Sequence, residues 1–147
     1  MTLKKISLDD SIDFTLIGIS SSLADYQLAF HLGNLIGIDF ILQESGHQIK
    51  MKSSDEEVKF EIYMASSEAT KNVFLLINNK LEGNLLLPQF THFDFLLKIK
   101  GAFPYLEYLT EEIKNLKNIY AVSEFKLTSK KDIEKLHYEP EDEIEFL

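Results

Sequence analysis

The sequence predicts an α+β domain of two layers, a mostly antiparallel sheet of six or seven strands with two helices on one face, ferredoxin-like with extra hairpins. Three observations predict it. Short runs alternate apolar with polar residues, as half-buried strands do. Two longer runs carry apolar residues at helical spacing. The order strand, helix, strand stands near both ends, with turn-rich hairpin signals between. The length of 147 residues suits one domain able to bury roughly 70% of its unfolded surface.

The first strand is expected from Ile12 to Ile19, where Ile12, Phe14 and Leu16 alternate with Asp13 and Thr15, closing at Gly18 and Ser20-Ser21-Ser22. Ser22 and Asp25 resemble a capping box for a helix over Leu23 to Ile36, which Gly37 ends. On a helical wheel Ala24, Leu28, Ala29, Leu32, Leu35 and Ile36 form one arc, and Leu23, Tyr26 and Phe30 widen it. So broad an arc implies contact with something besides the helix's own sheet.

Three short strands follow at Ile38 to Leu42, His47 to Lys52 and Val58 to Met64, separated by Glu44-Ser45-Gly46 and Ser53-Ser54-Asp55. Val73 to Ile77 is apolar throughout and reads as central, and Asn84 to Leu87 returns from a turn over Asn78 to Gly83 until Pro88 stops it. Phe93, Phe95, Leu97 and Ile99 are then expected inward and Asp94, Lys98 and Lys100 outward, with Gly101 turning the chain. Pro104 suits the first turn of a second helix whose stripe is Leu106, Leu109, Ile113 and Leu116. Ile119 to Leu127 closes the domain as a strand. Residues 128–147 are expected as an appendage: a short helix capped by Ser129 and Asp132, then a mobile end with five carboxylates and no lysine from Glu139 to Glu145.

Composition bounds the chemistry. Cysteine is absent, which removes disulfides, thiolate metal sites and cysteine nucleophiles. All 15 basic residues are lysine, so the planar fork that grips phosphate or guanine at two points is missing, and a net charge of -9 repels nucleic acid. Lys4 and Lys5 lead into Ser7, Asp9 and Asp10 rather than an apolar run, and no apolar stretch reaches the roughly 18 residues of a membrane span. A cytoplasmic protein, with neither nucleic acid nor membrane as partner, is the expectation.

The stretch Leu87-Pro88-Gln89-Phe90-Thr91-His92-Phe93-Asp94-Phe95 resembles, in degenerate form, the signature of the IPExxxVDY family of small uncharacterised bacterial proteins. Pro88 and Asp94 are identical, while Leu87, Gln89, Phe93 and Phe95 stand for isoleucine, glutamate, valine and tyrosine. Asp13 to Ser21 and Asp25-Tyr26-Gln27-Leu28 are similar to the family's opening, so the resemblance covers most of residues 10–127. No activity comes with it. A glutamine cannot transfer the proton a glutamate could, so the signature reads as structural: Pro88 ends a strand and Asp94 bonds to backbone groups of a turn.

His92 and Asp94, two apart on a strand, would share a face and could supply two metal ligands or a base with its orienting carboxylate, although no third partner is visible. Ser20, Ser21 and Ser22, where a strand passes into a helix, offer backbone N–H groups and hydroxyls to a polar ligand. The G-x-S-x-G elbow of a nucleophilic serine, the phosphate loop and the dinucleotide fingerprint are all missing. Ile17, Tyr63, Phe74, Leu76, Leu96, Tyr120 and Val122 are expected on the sheet face away from the helices, forming an apolar patch.

The leading functional expectation is a non-catalytic interaction module, homodimeric, using that open face or the Tyr26/Phe30 side of the first helix, with no cofactor and no metal. The alternative is a small-ligand-binding regulatory domain with a polar pocket at Gly18 to Ser22. An enzyme with a cleft invisible along the chain ranks third.

Overall fold

In a computed structural model, described over residues 14–50 and 56–138, alternation and stripe become a six-stranded sheet with two helices on one face. The strands are β1 (Phe14–Ser21), β2 (Ile41–Leu42), β3 (His47–Lys50), β4 (Glu57–Phe60), β5 (Ile62–Ser67), β6 (Asn72–Asn78), β7 (Lys80–Leu81), β8 (Asn84–Leu85), β9 (Phe95–Lys100) and β10 (Ile119–Phe125). The helices are α1 (Asp25–Ile36), α2 (Leu106–Lys114) and α3 (Lys130–Lys135). The sheet order is β10-β1-β9-β6-β5-β2 with every neighbouring pair antiparallel, and β3–β4 and β7–β8 are separate hairpins. The α+β class, antiparallel sheet and placement of two helices agree with expectation. The start of the first strand at Ile12, the turn Ser53-Ser54-Asp55, Met51 and Lys52, and the acidic stretch Glu139 to Glu145 lie outside the described residues.

Gly37 adopts φ 87° and ends α1, as its lack of a Cβ permits. The helix begins later than expected: Ser22 does not cap it, and Gln27 Oε1 instead accepts the Ala24 N–H at 2.9 Å. At α3, Ser129 does cap, accepting the Asp132 N–H at 3.4 Å. The expected strand Val58 to Met64 is two strands broken at Glu61, and Ile38 to Leu42 pairs only at Ile41 and Leu42. Asn84 to Leu87 pairs only at Asn84 and Leu85, so β8 ends before Pro88.

The sheet divides two cores. On the helix side Ile17, Ile19, Leu76, Leu97 and Ile99 pack with Leu28, Leu32, Leu109 and Ile113. On the other side Leu16, Leu75, Ile77 and Leu96 pack with Phe60, Leu86, Leu87, Phe93, Leu136 and Tyr138. The open apolar face expected from the sequence is therefore covered, by the two hairpins, the segment after β8 and the chain around α3. Ile17, Tyr63, Phe74 and Leu76 belong to the helix-side core, Val122 packs against it, Leu96 lies on the other side, and Tyr120 is exposed. In strands apolar at consecutive positions alternation does not mark a face, and a slip of one residue exchanges the two sides.

Lys98 corrects the same reading. Expected outward, it is 1% exposed in the second core, paired across the sheet with Leu16 and Leu75. Its ammonium donates to Leu136 O at 3.3 Å and lies 4.7 Å from the centre of the Phe14 ring, so the charge is buried with a carbonyl and a π face. Residues 128–138 are likewise part of the packed body, with Leu136 fully buried. His47 Nε2 donates to Lys135 O, and desolvation holds its pKa below the ordinary histidine value.

Candidate functional site

The signature-like segment meets the end of β1, which places the sequence-derived candidates Ser20, Ser21, His92 and Asp94 together. Strand β1 does not close at Gly18 but runs on to Ser21, with a register shift between Ser20 and Ser21 against β10. From Leu86 the chain turns across the sheet before entering β9 at Phe95. Phe93 precedes that strand, and its ring lies on Gly18: a Cβ there would stand 2.2 Å from the ring carbons. The neighbouring rings of Phe90, at 5.6 Å, and Phe125, at 5.4 Å, confine Phe93. Gly18 is thus required by close approach rather than by a turn.

Polar bonds fix the same junction. Asp94 Oδ2 accepts the Ser21 N–H at 2.8 Å, and Asp94 Oδ1 pairs with Lys80 Nζ at 3.1 Å. The Ser20 hydroxyl donates to His92 O, while the Ser21 hydroxyl donates to Asn118 O at 2.8 Å and accepts the Leu23 N–H at 3.0 Å. Ser22 N–H donates to Asn118 O at 3.3 Å, and its hydroxyl accepts from Tyr120 at 2.7 Å. The Ser20 and Ser21 hydroxyls and the Ser21, Ser22 and Leu23 amides are thus engaged within the chain.

His92 and Asp94 do not form the expected same-face pair. His92 sits in a turn ahead of the strand, exposed, with its ring centre 4.1 Å from that of Phe93, while Asp94 turns to Ser21 and Lys80. Among the described residues no three histidine, aspartate or glutamate side chains gather as metal ligands. None of their helices is long and apolar enough to cross a membrane.

Sequence reasoning missed Asn79, which it placed in a turn. The residue is fully buried. Its Nδ2 donates to Phe90 O at 3.0 Å and Phe93 O at 2.9 Å, and its Oδ1 accepts the Leu87 N–H at 2.8 Å. Its backbone N–H reaches Asp94 O at 3.0 Å and its O accepts the Leu86 N–H at 2.8 Å, so one residue holds both ends of the segment. A turn asparagine beside an all-apolar strand was the only available signal.

The remaining candidates, Tyr26 and Phe30, occupy a second site on the outer side of α1. Leu28, Ala29 and Leu32 bury the inner side, leaving Tyr26 64% and Phe30 65% exposed. Together with Ile41, 59% exposed on the edge strand, they surround a shallow groove of about 320 Å³ whose floor includes Ala29, Phe40 and Tyr63. Burial, reinforced by Asp25 and Glu61, pushes the Tyr63 hydroxyl up to about 12, so it is neutral near pH 7. The site combines apolar surface with a neutral phenol.

No family model and no curated protein matches the chain.

Proposed function

We propose that the chain is a non-catalytic interaction module acting as a homodimer, joined through the α1 side that carries Tyr26 and Phe30. One observation carries the reading: Tyr26, Phe30 and Ile41, each more than half exposed, surround a single groove. Gathered apolar side chains of this kind mark association surfaces. A twofold arrangement would set the patch against itself and pair aromatic with aromatic, whereas the net charge of -9 opposes approach of two copies at long range. Association should therefore strengthen with salt, which screens that repulsion.

The alternative small-ligand reading at Gly18 to Ser22 has less support, because the serine hydroxyls and the Ser21 and Ser22 amides already bond within the chain. In this reading the IPExxxVDY-like stretch is a structural tie, and the protein works in the cytoplasm. Light scattering across a concentration series tests the dimer. Wild-type chain should double in mass while a Tyr26→Ser/Phe30→Ser variant stays monomeric with the circular-dichroism spectrum of the wild-type fold. A wild-type chain monomeric at every concentration and salt, or a variant that dimerises equally well, refutes the proposal.

A further inference from the structure

We propose that the outer edge of β5 beyond Met64 takes up an extended, lysine-bearing segment of a partner protein as an added strand. The surface is distinct in mechanism from the α1 face: it offers backbone pairing and acidic walls rather than aromatic side chains. Strand β2 pairs with β5 only at Met64 and Tyr63, whereas β5 continues to Ser67. Among the described residues, Ala65, Ser66 and Ser67 have β6 on one side and no strand on the other.

The direction of the ladder identifies the exposed groups. Ile62 O points outward and accepts the Gln43 N–H at 2.9 Å, whereas Glu61 O points to the β6 side and accepts the Asn78 N–H at 3.1 Å. Antiparallel ladders alternate sides residue by residue, so Ile62, Met64 and Ser66 direct their N–H and C=O toward β2. At Ser66, β2 is no longer present, and the residue is exposed. An unpaired edge of this kind is a template for another chain.

A groove of about 580 Å³ lies against this edge, bordered by Asp39, Leu42, Glu44, Met64, Ser66 and Tyr138. Tyr138 holds one end in shape by donating to Gln43 Oε1 at 3.2 Å. Asp39 and Glu44 are exposed carboxylates, and among the described residues no lysine lines the groove. The chain's net charge adds to the same negative field. A guest with alternating apolar and lysine residues would place apolar side chains against Leu42 and Met64 and ammonium groups near Asp39 and Glu44. An acidic segment, such as residues 139–147 of this chain, would meet like charge.

The test is an NMR titration of the full-length chain with a blocked peptide of alternating valine and lysine, beside one of alternating valine and glutamate. The expected result is amide shifts at Ala65, Ser66 and Ser67, with about tenfold weaker binding of the glutamate peptide. Ser66→Pro removes the outward N–H without touching a bond to β6 and should abolish binding. Glu44→Lys, on an exposed turn, should weaken it even where the proline variant fails to fold. Phe30→Ser should leave binding unchanged, so failure of self-association and failure of strand addition are read separately. Equal affinity for the two peptides, shifts confined to other surfaces, or binding unaffected by Glu44→Lys would overturn the proposal. So would binding seen only after removal of residues 139–147, which would assign the edge to the chain's own end.

Discussion

Replacing Asn79 by alanine should be among the most damaging single polar changes in this chain. The side chain is inaccessible to solvent, and its loss strips a partner from three backbone groups, Leu87 N–H, Phe90 O and Phe93 O. A net hydrogen bond contributes about 1 kcal/mol, and a buried group left unsatisfied costs about 1–3 kcal/mol. Three bonds lost with partial relaxation of the segment give ~3 kcal/mol, a large share of the ~5–15 kcal/mol typical of a domain. The backbone bonds Asn79 N–H to Asp94 O and Leu86 N–H to Asn79 O persist, so the fold should survive. Urea unfolding monitored by circular dichroism measures the change, with a lower midpoint and an unchanged slope expected. Asn79→Asp should be no milder, because it keeps an acceptor for Leu87 but faces the Phe90 and Phe93 carbonyls with an oxygen. Asn34→Ala, on the exposed side of α1, should stay within about 0.5 kcal/mol. A cost below about 1 kcal/mol for Asn79→Ala would refute the idea that this side chain holds the segment.

Gly18→Ala drives a methyl into the confined Phe93 ring and should cost ~1–3 kcal/mol by overpacking, with partial recovery in a Gly18→Ala/Phe93→Leu double variant; equal stability of Gly18→Ala and wild type would contradict the close approach. Leu97→Ala and Leu109→Ala each truncate the helix-side core and should cost ~2–5 kcal/mol in the same urea assay. Lys98→Ala, which outward placement would leave near neutral, should instead shift the urea midpoint measurably, because it empties a buried position under Leu136. Burial pushes the Tyr63 hydroxyl from the ordinary tyrosine value of 10.0 up to about 12, so its contribution to stability is complete below pH 10 and is lost as pH rises through about 12. Ultraviolet absorbance titration should find a late-ionising component that Tyr63→Phe removes and Asp25→Asn moves earlier; a wild-type titration without such a component would refute it.

The sequence by itself determined the elements whose pattern is local. The single stripe of α2, the alternation of β4 and the glycine stop after α1 each follow from neighbours within a few residues, and with them came the α+β class and the antiparallel sheet. Tyr26 and Phe30 were also legible, because one helix cannot bury so broad an arc on one sheet. Tertiary structure alone decided which face each apolar strand presents, since Phe95, Leu96 and Leu97 are buried on alternate sides and no polar residue marks the difference. It also decided the fate of Lys98, enclosed by residues from the far end of the chain, and of Asp94, whose partner Ser21 lies 73 positions away. The physical reason is the same throughout: periodicity records how a segment meets its own neighbours, whereas burial of a charge, an asparagine or a glycine depends on which distant segment is laid over it.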